Sequence, residues 1–406
     1  MNIAKFLAQK IRFTKNLSFS SLIIKVGMMS IAIAVSVLII SFFVLLGFKN
    51  QIKEKLFSLS SHIQVNKITL NRSFDEGSIP NNQDLFFKIK QNENVESVSR
   101  SALKSVILKS TADISGVVLK GIDANYDWRP FDDNIILGRK LNLRSDSVSN
   151  ELIISKKTAE TLNLNLNDNV LIYFIQNPPR ARKMKIVGIY ESNVEELDQM
   201  YIMGDLNLIR KINSWNENEF GHFEILVKDF TEINNTKKQL LDALPQEYEV
   251  LKIDEILPQF FDWFNLLDRN IILVITLIIL VAGFNMVSVL LIMIMERTPM
   301  IGLLKSLGSS DNKIRRIFLY NSSRIIIKGQ LLGNIIAFII SFIQYRYKII
   351  KLDATNYYMD SVPIQWNWYV VVGVNLGVFV LVLFITILPT ILVKRISPVE
   401  ALKYKD

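Results

Sequence analysis

Two stretches of this chain run longer without a charge than a soluble helix has reason to. Val26–Phe48 is 23 uncharged residues, and Ile271–Met295 is 25. At 1.5 Å rise per residue the second extends about 37 Å, enough to cross a bilayer with some tilt. Two further apolar runs follow, one reaching to about Phe342 and one from Trp368 to Val393. Half of the 406 residues are hydrophobic, yet 21% are charged. That mixture suits a few membrane spans with a large soluble domain, and not a soluble enzyme. The predicted fold class is an α-helical membrane protein with four transmembrane helices and a large mixed α+β domain between the first and second. The expected spans are 22–48, 270–295, 318–343 and 368–393. The soluble domain is 49–269, with linking segments at 296–317 and 344–367. Val26–Phe48 is too long for the apolar core of a signal peptide, and no A-x-A cleavage site follows. It reads as a retained span behind an amphipathic, basic start, residues 1–21.

The net charge of +9 raises the question of nucleic acid, and its distribution answers it. Segments 1–21, 296–317 and 393–406 together hold thirteen basic and four acidic residues, which accounts for the whole excess. Basic charge confined to the ends of apolar runs is a topology signal, placing both termini and the 296–317 loop in the cytoplasm. Arg346, Lys348 and Lys351 mildly violate that rule on the outer side, offset by Asp353 and Asp360, while Trp366, Trp368 and Tyr369 mark the outer interface. There is no cysteine, and His62 and His222 are the only histidines. Disulfides, thiolate sites and histidine-rich metal sites are thereby excluded, and each histidine reads as a surface or capping residue. No G-x-x-x-x-G-K-[ST] phosphate loop and no Ser/His/Asp or Cys/His set occurs. The chain reads as a non-enzyme that binds no cofactor.

Within the soluble domain, strands are expected at Val106–Lys109, Gly116–Lys120, 134–138, Glu151–Ser155, 170–174, 184–190 and 223–227. Helices are expected at Lys156–Leu162, 205–212 and 234–244. The turn 176–184 reads QNPPRARKM. Pro178 and Pro179 cannot donate to a ladder, so the strands should stop there, with Arg180, Arg182 and Lys183 making a basic tip. An aromatic helix, 253–268, is expected to lead into the second span without a linker. In the third span Gly329 and Gly333 form a small-xxx-small face suited to close packing. Arg324 and Lys328 are placed at the inner interface or against other subunits.

The end of the second span carries the most information. Phe284–Gly308 reads FNMVSVLLIMIMERTPMIGLLKSLG. A short helix should follow Glu296-Arg297, with Thr298 as its cap, Pro299 in the first turn and Gly308 just past its end. Met300, Leu303, Leu304 and Leu307 share one face, and Ile301 and Lys305 lie on its flank. Ser309 or Ser310 is expected to cap the helix beyond. The pattern alone leaves open an ordinary interfacial loop or a docking helix at the membrane surface.

These residues resemble the core motif of the lipoprotein-releasing ABC permeases (LolC/LolE type) of the wider MacB/FtsX-like superfamily. Asn285, Val287, Ser288 and Leu290 match N-x-V-S-x-L. Glu296, Arg297, Ile301, Leu304, Lys305, Leu307 and Gly308 match or conservatively replace E-K-x-x-E-I-A-x-L-R-x-M-G. Met300 stands where the family has Glu, and Gly302 where it has Ala. The resemblance resumes at Gly27, Ile33, Leu46-Gly47-Phe48 and Ser61-His62-Ile63, and in the tail at Pro389, Ile396, Pro398, Glu400, Ala401, Leu402 and Tyr404.

The resemblance implies that 296–308 holds a coupling helix seated on a cytoplasmic ABC ATPase dimer, with Glu296, Arg297, Met300, Ile301, Leu304, Lys305, Leu307 and Gly308 as the contact set. It implies a second permease subunit, identical or homologous, lipoprotein cargo held between the first and second spans, and a bacterial inner-membrane location. The soluble domain becomes a periplasmic MacB-like domain with a β-rich insertion near 123–215. Pro178, Pro179, Arg180 and Arg182 become a candidate docking turn for a periplasmic lipoprotein carrier, although a plain solvated hairpin fits its short length better. Two other functions share the layout: FtsX-like signalling to a periplasmic hydrolase, and MacB-like export. The absence of a fused ATPase and the length of the periplasmic part favour lipoprotein release.

Overall fold

The computed structural model describes residues 19–69, 74–80, 82–145, 147–353 and 357–391. The basic start before residue 19 and the tail motif from Ile396 to Tyr404 lie outside the described residues. In chain order the helices are α1 (Phe19–Leu59), α2 (Gln83–Lys90), α3 (Lys156–Leu162), α4 (Glu195–Met200), α5 (Leu206–Asn213), α6 (Ile233–Ala243), α7 (Ile253–Ile256), α8 (Pro258–Glu296), α9 (Thr298–Ser306), α10 (Asp311–Tyr347), α11 (Trp368–Ile385) and α12 (Ile387–Thr390). The strands are β1 (Ile63–Lys67), β2 (Ile79–Pro80), β3 (Val95–Lys109), β4 (Ile114–Ile122), β5 (Ile135–Gly138), β6 (Glu151–Ser155), β7 (Asn169–Phe174), β8 (Arg180–Tyr190), β9 (Tyr201–Asp205), β10 (Glu219–Phe220), β11 (His222–Val227) and β12 (Tyr248–Lys252). The chain divides into two units, one drawn from 1–49, 264–351 and 361–406, the other from 50–263 and 352–360.

Among the described residues four helices are long and apolar enough to cross a membrane: Leu22–Leu59, Pro258–Glu296, Asp311–Tyr347 and Trp368–Thr390. Two of them run well past their uncharged stretches. α1 continues to Leu59, and α8 starts at Pro258. The expected single helix over 253–268 is instead two, because the residue before a proline is pushed out of the helical region. Leu257 adopts φ −124°, ψ 58°, closing α7 before Pro258 opens α8. At the far end Pro389 has no N–H for the carbonyl of Ile385, and α11 ends at that residue.

The spans pack through small residues. A Cβ on Gly333 would lie 2.6 Å from the Ala32 carbonyl oxygen, and one on Gly329 would lie 2.8 Å from that of Met28. α10 therefore lies directly against α1, as small-xxx-small spacing predicts. On its other side α10 is tied to α11 by a pair of amides. Asn334 Nδ2 donates to Asn375 Oδ1 and Asn375 Nδ2 to Asn334 Oδ1, each at 3.0 Å, and Gln330 Nε2 donates to the Asn375 carbonyl. Lys328 is exposed on α10 and Arg324 half-buried.

The second unit is built on one ten-stranded sheet with strand order β12-β1-β11-β3-β4-β9-β6-β8-β5, and β7 pairing with β3 and β8. β-branched and aromatic residues fill one face, where Leu85 and Ile89 of α2, Ile209 and Ile212 of α5 and Leu240 of α6 complete the apolar core. Region 123–215 does not form a sheet of its own. β9 runs parallel to β4, and β7 runs antiparallel to β3, so its strands join the common sheet. The expected strands and helices are present, most within two residues at their ends, but β3 reaches back to Val95 and β8 to Arg180, and β1, β2, β9, β10, β12, α2 and α4 were not anticipated. The segment 352–360, between α10 and α11 in sequence, belongs to this unit: the Lys55 ammonium donates to the Tyr358 carbonyl, and Tyr358 Oη donates to Glu196 Oε1 at 2.9 Å.

Candidate functional site

The α8–α9 corner is set by local chemistry. Pro299 cannot donate to the Met295 carbonyl, and Arg297 leaves the helical region at φ −98°, ψ 12°. α9 closes on Gly308 at φ +83°. The Ser309 N–H bonds to the Leu304 carbonyl and the Gly308 N–H to that of Lys305, both at 2.9 Å. This is the Schellman arrangement, which a glycine past the helix end permits. Thr298 is not the cap. Its hydroxyl donates back to the Ile294 carbonyl at 3.2 Å, and Arg297, which makes no side-chain capping bond, holds that position. Ser310 stands at the start of α10, likewise without a side-chain bond.

The faces of α9 differ from the sequence expectation. Ile301, expected on the flank, is fully buried in one cluster with Met293, Ile294, Ile314 and Phe318. Leu304 packs partly against that cluster, and Lys305 pairs with Asp311 at 3.0 Å. The outward apolar surface consists of Met295, Leu303 and Leu307, which are 73%, 52% and 75% exposed. Glu296 and Gly308 are also exposed, and Arg297 and Met300 half-buried. Of the predicted set, then, Ile301, Leu304 and Lys305 fix the helix to its own chain, and the others border its outer face.

A second feature lies between α1 and α8. An apolar groove of about 720 Å³ is walled by Leu22, Val26, Met29, Ile33 and Val37 on α1 and by Leu277, Ile278 and Val281 on α8. Among the described residues that line it, Lys25 alone is charged. Asn285 Nδ2 donates to Ser30 Oγ at 2.7 Å across the groove. Near it the helices touch, since a Cβ on Gly27 would come within 2.7 Å of a Val289 methyl carbon. The resemblance points to this pair of spans but assigns none of these residues to a groove, because every lipid-facing helix has the same apolar chemistry. The one local signal was the pair of small or polar residues, Gly27 and Asn285.

The 176–184 turn is smaller than expected. Strand β8 begins at Arg180, which pairs with Phe174, and Arg182 pairs with Ile172, so only Ile175–Pro179 remains outside the ladder. Arg180 donates to the Lys211 and Ile212 carbonyls at the end of α5. Pro178 and Pro179 stay at the exposed tip.

His62 takes the capping role expected of it, and His222 does not. His62 Nδ1 accepts the Val227 N–H at 2.9 Å, and its ring meets Phe57 edge-on. Burial pushes it down to about 4. His222 is fully buried between Glu76 (Nδ1, 2.9 Å) and Glu224 (Nε2, 3.3 Å). Burial alone would lower its pKa, but the two carboxylates outweigh burial and raise it to about 9. Glu224, also 2.8 Å from the buried Lys120 ammonium, falls to about 2 against the effect of its own burial. Among the described residues no His/Asp/Glu group is arranged to hold a metal.

Comparison with known proteins covers nearly the whole chain. Residues 27–243 match the family described as MacB-like periplasmic core domain, and residues 272–398 match FtsX-like permease C-terminal. The lipoprotein-releasing system transmembrane protein LolC of Buchnera aphidicola subsp. Schizaphis graminum is 25% identical over 92% of this chain and 90% of its own length. LolC of Xylella fastidiosa (strain 9a5c) is 22% identical over 97% of each, and LolE of Haemophilus influenzae 20% over 94% of each. Among solved structures, the extracellular domain of the ABC-type transporter YknZ covers 47% of this chain and 99% of its own at TM-score 0.33 and 17% identity. The periplasmic region of MacB from Actinobacillus actinomycetemcomitans covers 49% and 91% at TM-score 0.34 and 14% identity.

Proposed function

This chain belongs to the family of permeases with a MacB-like periplasmic core domain, and from that premise we propose that it is the permease subunit of an ATP-driven complex releasing lipoproteins from the bacterial inner membrane. The similarity to LolC and LolE along nearly the whole chain supports that substrate class. One structural observation carries the mechanism. α8 supplies a wall of the groove at Leu277–Val281 and runs unbroken to Glu296, where α9 turns off it. A push on the outer face of α9 therefore reaches the groove through a single helix.

The energetics show why such a device is needed. Moving an acyl chain of about 16 carbons from bilayer to water costs about 13 kcal/mol at ~0.8 kcal/mol per CH₂. An apolar groove offsets that cost while the lipid is held, and closing the groove returns it. In this reading a separate ATPase dimer binds ATP and Mg and closes against Met295, Leu303 and Leu307, and a second permease subunit completes the path. The released lipoprotein passes to a periplasmic carrier; with only Ile175–Pro179 outside the ladder, the 176–184 turn is read as a plain hairpin tip and not as its dock. The chain itself carries no catalytic step, and both termini are cytoplasmic.

The test is purification of the tagged chain from membranes, comparing wild type with Leu303→Asp and Leu307→Asp. A charge in a buried contact costs several kcal/mol. Each variant should lose the co-purifying ATPase by at least about tenfold and stop releasing a triacylated lipoprotein from proteoliposomes. Unchanged ATPase recovery would refute the α9 assignment. Recovery of a peptidoglycan hydrolase without lipoprotein would point to signalling, and recovery of an outer-membrane channel would point to export.

A further inference from the structure

The side of the sheet away from the apolar core carries a buried charge cluster that the permease function does not use. His222 sits on β11 opposite Asn66 of β1 and Ser101 of β3, both neutral. Its two ring nitrogens face the Glu76 and Glu224 carboxylates. Glu224 also holds Lys120 of β4, which reaches Tyr126 Oη at 3.3 Å. The Tyr201 phenol, pushed up to about 12 by burial, feels the charges of Lys120, Glu224 and Glu76. Two carboxylates and one ammonium leave a net charge of −1, and buried charge has to be balanced. The balance comes from His222 as imidazolium. Both of its nitrogens face acceptors, so both must donate.

One of the two carboxylates lies on a segment with no strand or helix of its own. Residues 74–78 precede β2; at their end Ser78 Oγ donates to Glu219 Oε1 at 3.3 Å, and three further contacts pin the residues before it. Asp75 pairs with Lys104 at 3.2 Å, Glu76 Oε2 accepts the Leu103 N–H at 2.9 Å, and Glu76 meets His222. The approach requires glycine at 221, because a Cβ there would lie 2.0 Å from Glu76 Oε2. Phe74, Glu76 and Gly77 line a groove of about 400 Å³ together with Gln64, Leu103 and Leu251.

We propose that residues 74–78 form a strap over this groove, latched shut by the Glu76 carboxylate on protonated His222 and released when His222 gives up its proton. A neutral imidazole turns a lone pair on one of the two carboxylates. Glu224 is fixed on a central strand and compensated by Lys120. Of the two carboxylates only Glu76 lies outside the main sheet, so the segment that carries it is the one that yields, against its remaining contacts at Lys104, Leu103 and Glu219. This inference does not depend on the lipoprotein reading.

The chain has no cysteine, so Phe74→Cys gives a unique site for a nitroxide label, read by electron paramagnetic resonance on the full chain in nanodiscs. The label should be immobilised at pH 7, and its mobile-to-immobile ratio should rise by about tenfold or more at pH 10. Adding His222→Gln should make it mobile at pH 7 already, with little further change at pH 10. Gly221→Ala, which alters no titrating group, should do the same and stands in if His222→Gln does not fold. A control label at Leu171→Cys, on β7, should stay unchanged throughout. An unchanged line shape at position 74, or equal mobilisation at position 171, overturns the latch.

Discussion

His62 and His222 titrate in opposite directions because of what faces their ring nitrogens. His62 accepts a backbone N–H, which only the neutral ring can do. With its pKa lowered to about 4, its contribution to stability is present above the unfolded value of 6.5 and is lost as pH falls towards 4. His222 donates to two carboxylates, and its pKa is raised to about 9. Its contribution is complete below 6.5 and is lost as pH rises through 9. With only two histidines in the chain, imidazole NMR signals should show two titrations, near pH 4 and near pH 9. Thermal stability should rise from pH 4 to 6.5 in wild type, and less so in His62→Gln. Above pH 7 it should fall in wild type but stay flat in His222→Gln. A single histidine titration near 6.5 would contradict both assignments. The same scale separates the side chains of α9. Ile301 and Lys305 bind it to its own chain, and Leu303 and Leu307 point away.

At the scale of elements, the membrane helices are held by shape on one side and by amides on the other. Gly333→Leu would force a side chain into the Ala32 carbonyl, and overpacking of this kind costs about 1–3 kcal/mol. The α1–α10 contact should open, lowering the temperature at which the detergent-solubilised protein unfolds. Asn375→Leu removes the amide pair with Asn334. Interhelical bonds of this type in membranes contribute about 0.6 kcal/mol on average and at most about 2. A double-mutant cycle with Asn334→Leu should give a coupling in that range. Zero coupling would mean that both amides find equal partners in the unpaired state.

For the whole molecule, the groove and α9 should fail in different ways. Ile33→Trp and Val281→Trp fill the groove without touching α9. They should abolish lipoprotein release while ATPase co-purification stays at wild-type level, whereas Leu307→Asp should lose both. If the groove variants release lipoprotein normally, the cargo does not pass between α1 and α8.

The span count, the charge asymmetry and the α9 corner were legible in the sequence because each is a local property. An uncharged run of 25 residues, a proline four residues after Met295 and a glycine at φ +83° state their consequences within one or two turns. Most strands of the soluble domain were legible too, since alternation is a local signal. The sheet that joins them was not. The parallel pairing of β9 with β4 brings together residues about 80 positions apart, and nothing local encodes it. The same limit hid the working surfaces. The helical projection of α9 puts Leu307 on the apolar face and Ile301 on its flank, and only the position of the α10 residues Ile314 and Phe318 decides that Ile301 faces inward and Leu307 outward. His222 passes for a surface residue until the fold sets Glu76 beside it, 146 positions away in sequence. The chain's periodicities and its breaker residues determined the elements. The tertiary structure alone chose the faces they present and the charges they bury, because both depend on which distant segment packs against them.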